Sequence, residues 1–173
     1  DSKKYTYFYA FRTVSGSMEE SNGVYTAGTA NSMTVDKTTP FPYGTISCKV
    51  RSNNQTDSGI VFGLTESGAS TYWESGVSYY FFFLGRGGNA YLGKVDGGWK
   101  ELKVVGIGAI DADRDYTLKV VLRSNKICCY VDDTLMFGYK DEDFLTGTCY
   151  GLRAGAAGVT FSDVSVTNEY LDE

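Results

Sequence analysis

Hydrophobic and polar residues alternate along most of this chain, in short runs that break at Gly, Asn, Asp or Ser. Alternation with a period of two is typical of β-strands with one buried face, and no long segment has the period of an amphipathic helix. In one such run, Ile46, Cys48 and Val50 alternate with polar residues, which predicts a half-buried strand. About ten to twelve strands at this spacing, with no helices between them, indicate an all-β fold of two antiparallel sheets packed as a sandwich.

The clearest local prediction is a hairpin over residues 116–131 that turns at Ser124 and Asn125. A two-residue loop at this point places six apolar residues on one face, so the register and the loop length agree. The predicted pairs are Leu122 with Ile127, Val120 with Cys129, and Leu118 with Val131.

Further strands are predicted around turns that are rich in Gly or Asp. The run at 77–84 (VSYYFFFL) is aromatic or apolar on both faces. Turns at 86–89, 96–98 and 132–133 each lead into another strand. The chain has no internal repeat, linker or low-complexity tract, so residues 1–173 are predicted to form a single domain.

Composition supports a sheet protein and excludes several partners. The chain of 173 residues contains 14 Tyr, 10 Phe and 21 Gly but only 2 Pro, which suits strands joined by tight turns. The net charge is −5 and the 16 basic residues are scattered, whereas nucleic acids and anionic membranes require a concentrated basic face. No run of about 18 apolar residues exists, so no membrane insertion is predicted. We expect a monomer.

The sequence contains no histidine, which excludes Ser-His-Asp and Cys-His catalysis and leaves carboxylate chemistry for any enzyme. Its four cysteines, at 48, 128, 129 and 149, fit no zinc motif. Cys128 and Cys129 are neighbours on a predicted strand and point to opposite faces, so they are not expected to bond to each other. The sequence is compatible both with long-range disulfides and with four buried thiols.

Several segments of the second half resemble a known family. They are GIVFGL, YYFFFLGRGGNAYLGKVDGGW, DYTLKVVLRSNKICCYVDD, DEDFLTGTCYGLRAG and VTFSDVSV. The match as a whole covers residues of about 40 to 167. Their order resembles the concanavalin A-like lectin/glucanase superfamily, and within it the fructan-binding (levan-binding) modules of bacterial levanases and inulinases. The first 40 residues match weakly, apart from NGVY at 22–25, which resembles the first strand of the family.

The resemblance implies a jelly-roll sandwich that is secreted or displayed at a cell surface. It implies a non-catalytic carbohydrate-binding module, which holds an attached glycoside hydrolase on a polysaccharide such as levan or inulin. Two alternatives compete with this interpretation. One is a bacterial surface adhesin of lectin-like fold that binds proteins, and the other is a glycosidase of the same superfamily. Glucanases of that group carry an E-x-D-x-E strand, and this sequence has none.

Sugar recognition needs an aromatic face for the C–H side of the ring, and two-pronged charged groups for neighbouring hydroxyls. Trp73 and Glu74, in a loop rich in Gly and Ser, are one candidate pair, although a Trp73 that folds back over the end of the sandwich explains the loop equally well. Trp99 is another candidate, although packing within a strand is the stronger explanation for it. Tyr79 and Tyr80 point to opposite faces, so one of them, Tyr80, is taken as the candidate for facing a sugar.

A second candidate group combines an arginine with acidic residues. If Tyr150 and Leu152 face the core, Arg153 points away from it. Asp141 and Glu142 belong to a nearby acidic cluster, so an Arg153–carboxylate pair is predicted either to bind sugar hydroxyls or to form a surface ion pair. No cofactor is required, but sandwiches of this superfamily often hold a structural calcium ion. Asp163 is the candidate ligand for that metal.

Overall fold

The computed structural model describes residues 10–52, 56–65, 77–85 and 87–169. Within these residues, fourteen strands form two antiparallel sheets of seven strands each. In chain order the strands are β1 (Arg12–Ser15), β2 (Met18–Ser21), β3 (Val24–Ala27), β4 (Ser32–Asp36), β5 (Gly44–Arg51), β6 (Ser58–Leu64), β7 (Ser78–Gly85), β8 (Asn89–Asp96), β9 (Trp99–Gly106), β10 (Tyr116–Arg123), β11 (Lys126–Val131), β12 (Thr134–Lys140), β13 (Cys149–Ala154) and β14 (Thr160–Thr167).

Sheet A has the strand order β1-β4-β13-β6-β7-β8-β9, and sheet B has the order β12-β11-β10-β5-β14-β3-β2. The predicted all-β, two-sheet antiparallel sandwich is therefore confirmed. The described residues form no helix, so none of them belongs to a helix that could cross a membrane.

The hairpin that the sequence predicted over residues 116–131 forms in the predicted register. In the β10–β11 hairpin, Leu122 pairs with Ile127 and Leu118 with Val131. Ser124 begins its turn at a φ of 55°, as two-residue hairpin loops require at their first position. The turns between β7 and β8, between β8 and β9, and between β11 and β12 also lie where the Gly- and Asp-rich segments placed them.

The N-terminal part differs from the prediction. The NGVY segment is not the first strand but the start of β3, because β1 and β2 precede it. Both are four-residue strands with mostly exposed or half-exposed residues, so they carry no alternating pattern. The opposite holds for β4, in which all five residues are buried, including Asp36.

The main core lies between the inner faces of the two sheets. It is built from the alternate residues of each strand, such as Ile46, Cys48 and Val50 of β5 and Tyr80, Phe82 and Leu84 of β7. No disulfide joins the four cysteines, so they are thiols. Burial raises the pKa of the Cys48 thiol to about 12, which makes it an unreactive packing residue.

The outer face of sheet A is also apolar. A second buried cluster lies there, to which β7 contributes Tyr79, Phe81 and Phe83 and β4 contributes Met33 and Val35. The central strands of sheet A are thus buried on both faces, which explains the continuous apolar run of β7. Two candidate residues of sheet A contact this cluster, the exposed Trp99 and the buried Arg153.

Candidate functional site

A shallow pocket of about 230 Å³, called here the outer-face pocket, opens on the outer face of sheet A. Strands β7, β9 and β13 and the residue before β6 contribute its lining. The lining residues are Asp57, Phe81, Phe83, Trp99 and Arg153.

Trp99 forms the exposed wall of this pocket. As the first residue of β9 it pairs with Val95 of β8, so it shares the outer face of the sheet. Its indole lies directly over Gly93 and occupies the space that a Cβ at that position would need. The side chain remains 41% exposed, and its ring centroid is 5.7 Å from that of Phe83. A large aromatic face is therefore presented to solvent beside the pocket.

The floor of the pocket is a row of stacked rings. Phe81 and Phe83 are two residues apart on β7, and their ring centroids are 4.2 Å apart. Phe83 also stacks on Tyr91 of β8 at 5.0 Å, across a directly paired position of the two strands. Phe81 and Phe83 line the pocket, so its floor is apolar, and Tyr91 packs against Phe83 beside it.

Arg153 supplies the charged wall, and its direction agrees with the sequence prediction. Tyr150 and Leu152 face the core, and Arg153 lies on the outer face. Its Cζ is 4.4 Å from the ring centroid of Phe81, and its Nη1 donates a hydrogen bond of 2.9 Å to the hydroxyl of Tyr79. The guanidinium is thus held in one orientation by stacking and by hydrogen bonding.

These groups together can do what a sugar site requires. Trp99 offers a flat apolar face, Arg153 offers fixed donors, and the carboxylate of Asp57 offers acceptors. Asp57 is the single carboxylate among the described residues that line the pocket.

Tyr80 does not face this pocket, contrary to the prediction that it meets a sugar. It is fully buried in the core between Phe62 and Phe144, with ring centroids at 5.2 and 5.5 Å. Its hydroxyl donates to Asp141 Oδ2 at 2.5 Å and accepts from the amide of Leu145. Burial and the Asp141 hydrogen bond raise the pKa of Tyr80, so the hydroxyl stays protonated. Both ring faces are occupied by neighbouring rings, and none is left for a ligand.

The predicted pairing of Arg153 with the acidic cluster does not form either. Asp141 lies on the core side of sheet A, in a buried ion pair of 2.8 Å with Lys94. Burial alone would raise the pKa of Asp141, but the hydrogen bonds from Lys94 and Tyr80 outweigh it and hold that pKa below its ordinary value. Glu142 is exposed, 3.7 Å from Lys140. The alternation along β13 predicted the direction of the Arg153 side chain. It could not predict the position of Asp141, which lies outside the strands.

The remaining candidates are placed as follows. Trp73 and Glu74 lie outside the described residues. Asp163 is exposed and pairs with Lys49 at 2.9 Å. Within the described parts of the chain, no group of three or more His, Cys, Asp or Glu side chains could hold a metal ion.

Sequence reasoning did not single out Asp57, Phe81 or Phe83. The signal for the two phenylalanines is their spacing, since Phe81 and Phe83 share one face of β7 with Tyr79. For Trp99, the signal is the turn at 96–98, which sets Trp99 opposite Val95 and beside Gly93. Asp57 precedes β6 in a polar loop and carries no comparable signal.

No protein-family model matches this chain, and no curated protein matches it. Solved structures do. The carbohydrate-binding module CBM66 from Bacillus subtilis is similar with a TM-score of 0.71 and 16% identity, over 89% of this chain and 92% of that one. A Bacillus subtilis protein of unknown function with a galectin-like fold has a TM-score of 0.69 and 14% identity, over 91% and 89% of the two chains. A β-glucanase from Bacillus licheniformis has a TM-score of 0.65 and 12% identity, over 96% and 91%.

These similarities identify the fold. The chain has the concanavalin A-like jelly-roll sandwich, as its sequence resemblance implied. A binding module and a glucanase are both among the similar structures, so the fold alone does not assign a function.

Proposed function

We propose that this chain is a non-catalytic carbohydrate-binding module and that the outer-face pocket is its sugar site. The observation that carries the proposal is the arrangement of Trp99 on Gly93, beside the stacked Arg153 and the carboxylate of Asp57. An exposed ring next to fixed two-pronged groups is the combination that a sugar ring with neighbouring hydroxyls recognises. The likeness to CBM66 supports this interpretation.

The size of the pocket favours a small ligand unit. At about 230 Å³ it is smaller than sites of roughly 300–1,000 Å³ that enclose drug-sized ligands. One sugar unit therefore occupies it at a time. The absence of an E-x-D-x-E strand from the sequence, together with the single carboxylate of the described lining, supports a module without catalysis of its own.

The finer parts of the proposal rest on the sequence resemblance. The bound polysaccharide is a fructan such as levan or inulin, and the module acts outside the cell as part of a larger glycoside hydrolase. It is a single, monomeric domain over residues 1–173. Trp73, Glu74 and Glu142 stay predictions as further sugar contacts.

Calorimetry against levan, inulin, xylan and β-glucan tests the proposal. We expect heat with one of the fructans and a loss of affinity of about 30-fold in Trp99→Ala, the effect of a contact that contributes about 2 kcal/mol. Arg153→Lys keeps the charge but loses the planar fork, so it is expected to weaken binding as well. Tyr43→Ala is the matched control, because Tyr43 is equally exposed, at 41%, and does not line the pocket.

The possible results test the identity of the sugar, the position of the site and the class of ligand separately. Heat with another polysaccharide and none with fructan would refute the fructan assignment and leave the module. Unchanged affinity in Trp99→Ala would remove the outer-face pocket as the site. A chain that responds to no glycan but binds a protein would be an adhesin.

A further inference from the structure

A second pocket, of about 220 Å³, lies at the edge of the sandwich and is called here the edge pocket. One side is formed by the β8–β9 hairpin, through Lys94, Lys100 and Leu102. The end of β12 and the segment after it form the other side, through Tyr139 and Asp143. The sequence singled out one of its lining residues, Asp141, as a candidate sugar ligand, and the outer-face pocket shares none of its lining residues.

A buried ammonium group reaches this pocket. The side chain of Lys94 is 8% exposed, yet it borders the pocket. Its Nζ donates to Asp141 Oδ2 at 2.8 Å and to the carbonyl of Asp143 at 2.6 Å. A lysine ammonium has three N–H donors, and these two bonds use two of them. The Nζ also lies 5.7 Å from the ring centroid of Tyr80, and its third N–H can donate to a ligand hydroxyl in the pocket.

The rim carries charged groups that do not neutralise one another. In the described residues, no ion pair joins Lys100, Asp96 or Asp143 to any partner. Within the part of the chain that the structure describes, these side chains take part in one side-chain hydrogen bond, from Ser78 Oγ to Asp96 Oδ1 at 3.0 Å. Donors and acceptors that would pair on an ordinary surface are therefore available to a ligand on both sides of the pocket.

The balance of charge selects the class of ligand. The two ammonium groups, of Lys94 and Lys100, would repel a metal ion. The carboxylates of Asp96, Asp141 and Asp143 would repel an anion. A neutral molecule with many hydroxyl groups can accept hydrogen bonds from the lysines and donate hydrogen bonds to the carboxylates at the same time. The half-buried Tyr139 and Leu102 add an apolar wall for its C–H groups.

We propose that the edge pocket is a second, independent carbohydrate-binding site. This inference rests on the proposed function, since it assigns the same class of ligand. The two sites use opposite faces of the β8–β9 hairpin, with Gly93 and Trp99 on the outer face and Lys94 on the core side. The chain therefore binds two sugar segments, and polysaccharide affinity exceeds the affinity of either site.

Backbone amide NMR with trisaccharides of levan, inulin, xylan and β-glucan tests this. We expect the ligand that binds to shift two separate groups of amides, one around Phe83 and Arg153 and one around Tyr139 and Asp143. Trp99→Ala should abolish the first group alone. The double variant Lys100→Ala, Asp143→Ala should abolish the second group alone and lower affinity for the polymer by about tenfold or more. Both substituted residues are exposed, so the fold is expected to persist.

A matched control is Arg51→Ala, Asp115→Ala, which removes one charge of each sign from an exposed pair on sheet B. It should leave both groups of shifts intact. The second site is overturned if Trp99→Ala removes every shift, an outcome that supports the outer-face pocket. Shifts around Tyr139 and Asp143 alone would refute the outer-face pocket and support the edge pocket, whereas no shift with any trisaccharide refutes both.

Discussion

The position of the Trp99 indole depends on a single neighbouring residue, Gly93. The ring occupies the space that a side chain at Gly93 would fill. Gly93→Ala should displace the ring, because the overlapping atoms belong to the movable end of the indole and not to the backbone. We expect glycan affinity to fall about as far as in Trp99→Ala, on the order of 30-fold. Calorimetry measures the affinity, and thermal melting is expected to change by only a few degrees.

Gly138→Ala is the control for this substitution. Gly138 also lies within a strand, but a Cβ there would lie 3.6 Å from Cys128 Sγ, which is an ordinary contact. Its affinity should equal that of the unmodified protein. If Gly93→Ala binds glycan normally, the alignment of Trp99 on β8 is irrelevant to recognition.

The face of a strand on which a side chain lies could be predicted from the sequence, but the residues that this side chain contacts could not. The period of two correctly placed Arg153 on the face opposite Tyr150. Its contacts with Phe81 and Tyr79 come from a strand distant in sequence, so no local pattern reports them. For the same reason, Tyr80 could not be assigned to the core from its own neighbours.

Among the elements, the hairpins could be predicted because their information is local. In β10–β11, a two-residue turn and the alternation on both sides fix one register. Strand β4 shows the opposite case, since it pairs with β13 and its Asp36 accepts a hydrogen bond from Tyr150, 114 residues away. The buried polar residues of β4 become interpretable only when that partner is known.

The Lys94–Asp141 pair joins β8 to the segment after β12, and its loss should weaken that connection. Lys94→Met leaves the Asp141 carboxylate buried without its cation. Removing one partner of a buried pair costs about 3–5 kcal/mol of unfolding free energy. Urea denaturation measures this value. The double variant Lys94→Met, Asp141→Leu should recover most of the loss, because no uncompensated charge remains.

An exposed ion pair provides the comparison. Arg51 and Asp115 lie 2.9 Å apart with side chains that are 48% and 41% exposed. Arg51→Ala should cost less than about 1 kcal/mol. If Lys94→Met costs no more than Arg51→Ala, the buried pair does not hold the segment after β12 in place.

At the scale of the whole molecule, the two sheets present different outer surfaces. Sheet A carries an apolar cluster, the row of stacked rings and the Trp99 wall. On sheet B, strand β5 instead carries exposed ion pairs such as Lys49–Asp163 and Arg51–Asp115. An exposed aromatic ring such as Trp99 beside a shallow pocket is typical of a binding surface, whereas alternating charges are typical of a solvated one. Of the two outer faces, we therefore expect that of sheet A to bind the ligand.

The stability of the whole sandwich should fall in acid, since Asp36 and Asp141 are buried carboxylates. Burial alone would raise the pKa of Asp36, but hydrogen bonds from Thr39, Thr38 and Ala10 outweigh it and lower that pKa. Both pKa values are thus lower in the folded protein than in the unfolded chain, where they are about 3.9. Their contribution to the free energy of unfolding is complete above that value and is lost as the pH falls through the folded pKa values.

Urea midpoints at pH 7, 5, 3 and 2 measure this acid dependence. We expect a constant midpoint between pH 7 and 5 and a decline below about pH 4. Asp36→Asn removes one of the two groups and turns an amide N–H toward existing donors, so it should lower the midpoint at pH 7 and flatten the acid decline. Asp133→Asn, at a side chain that is 85% exposed, should leave the profile unchanged. A decline of the same steepness in Asp36→Asn would mean that Asp36 contributes nothing to the acid dependence of this fold.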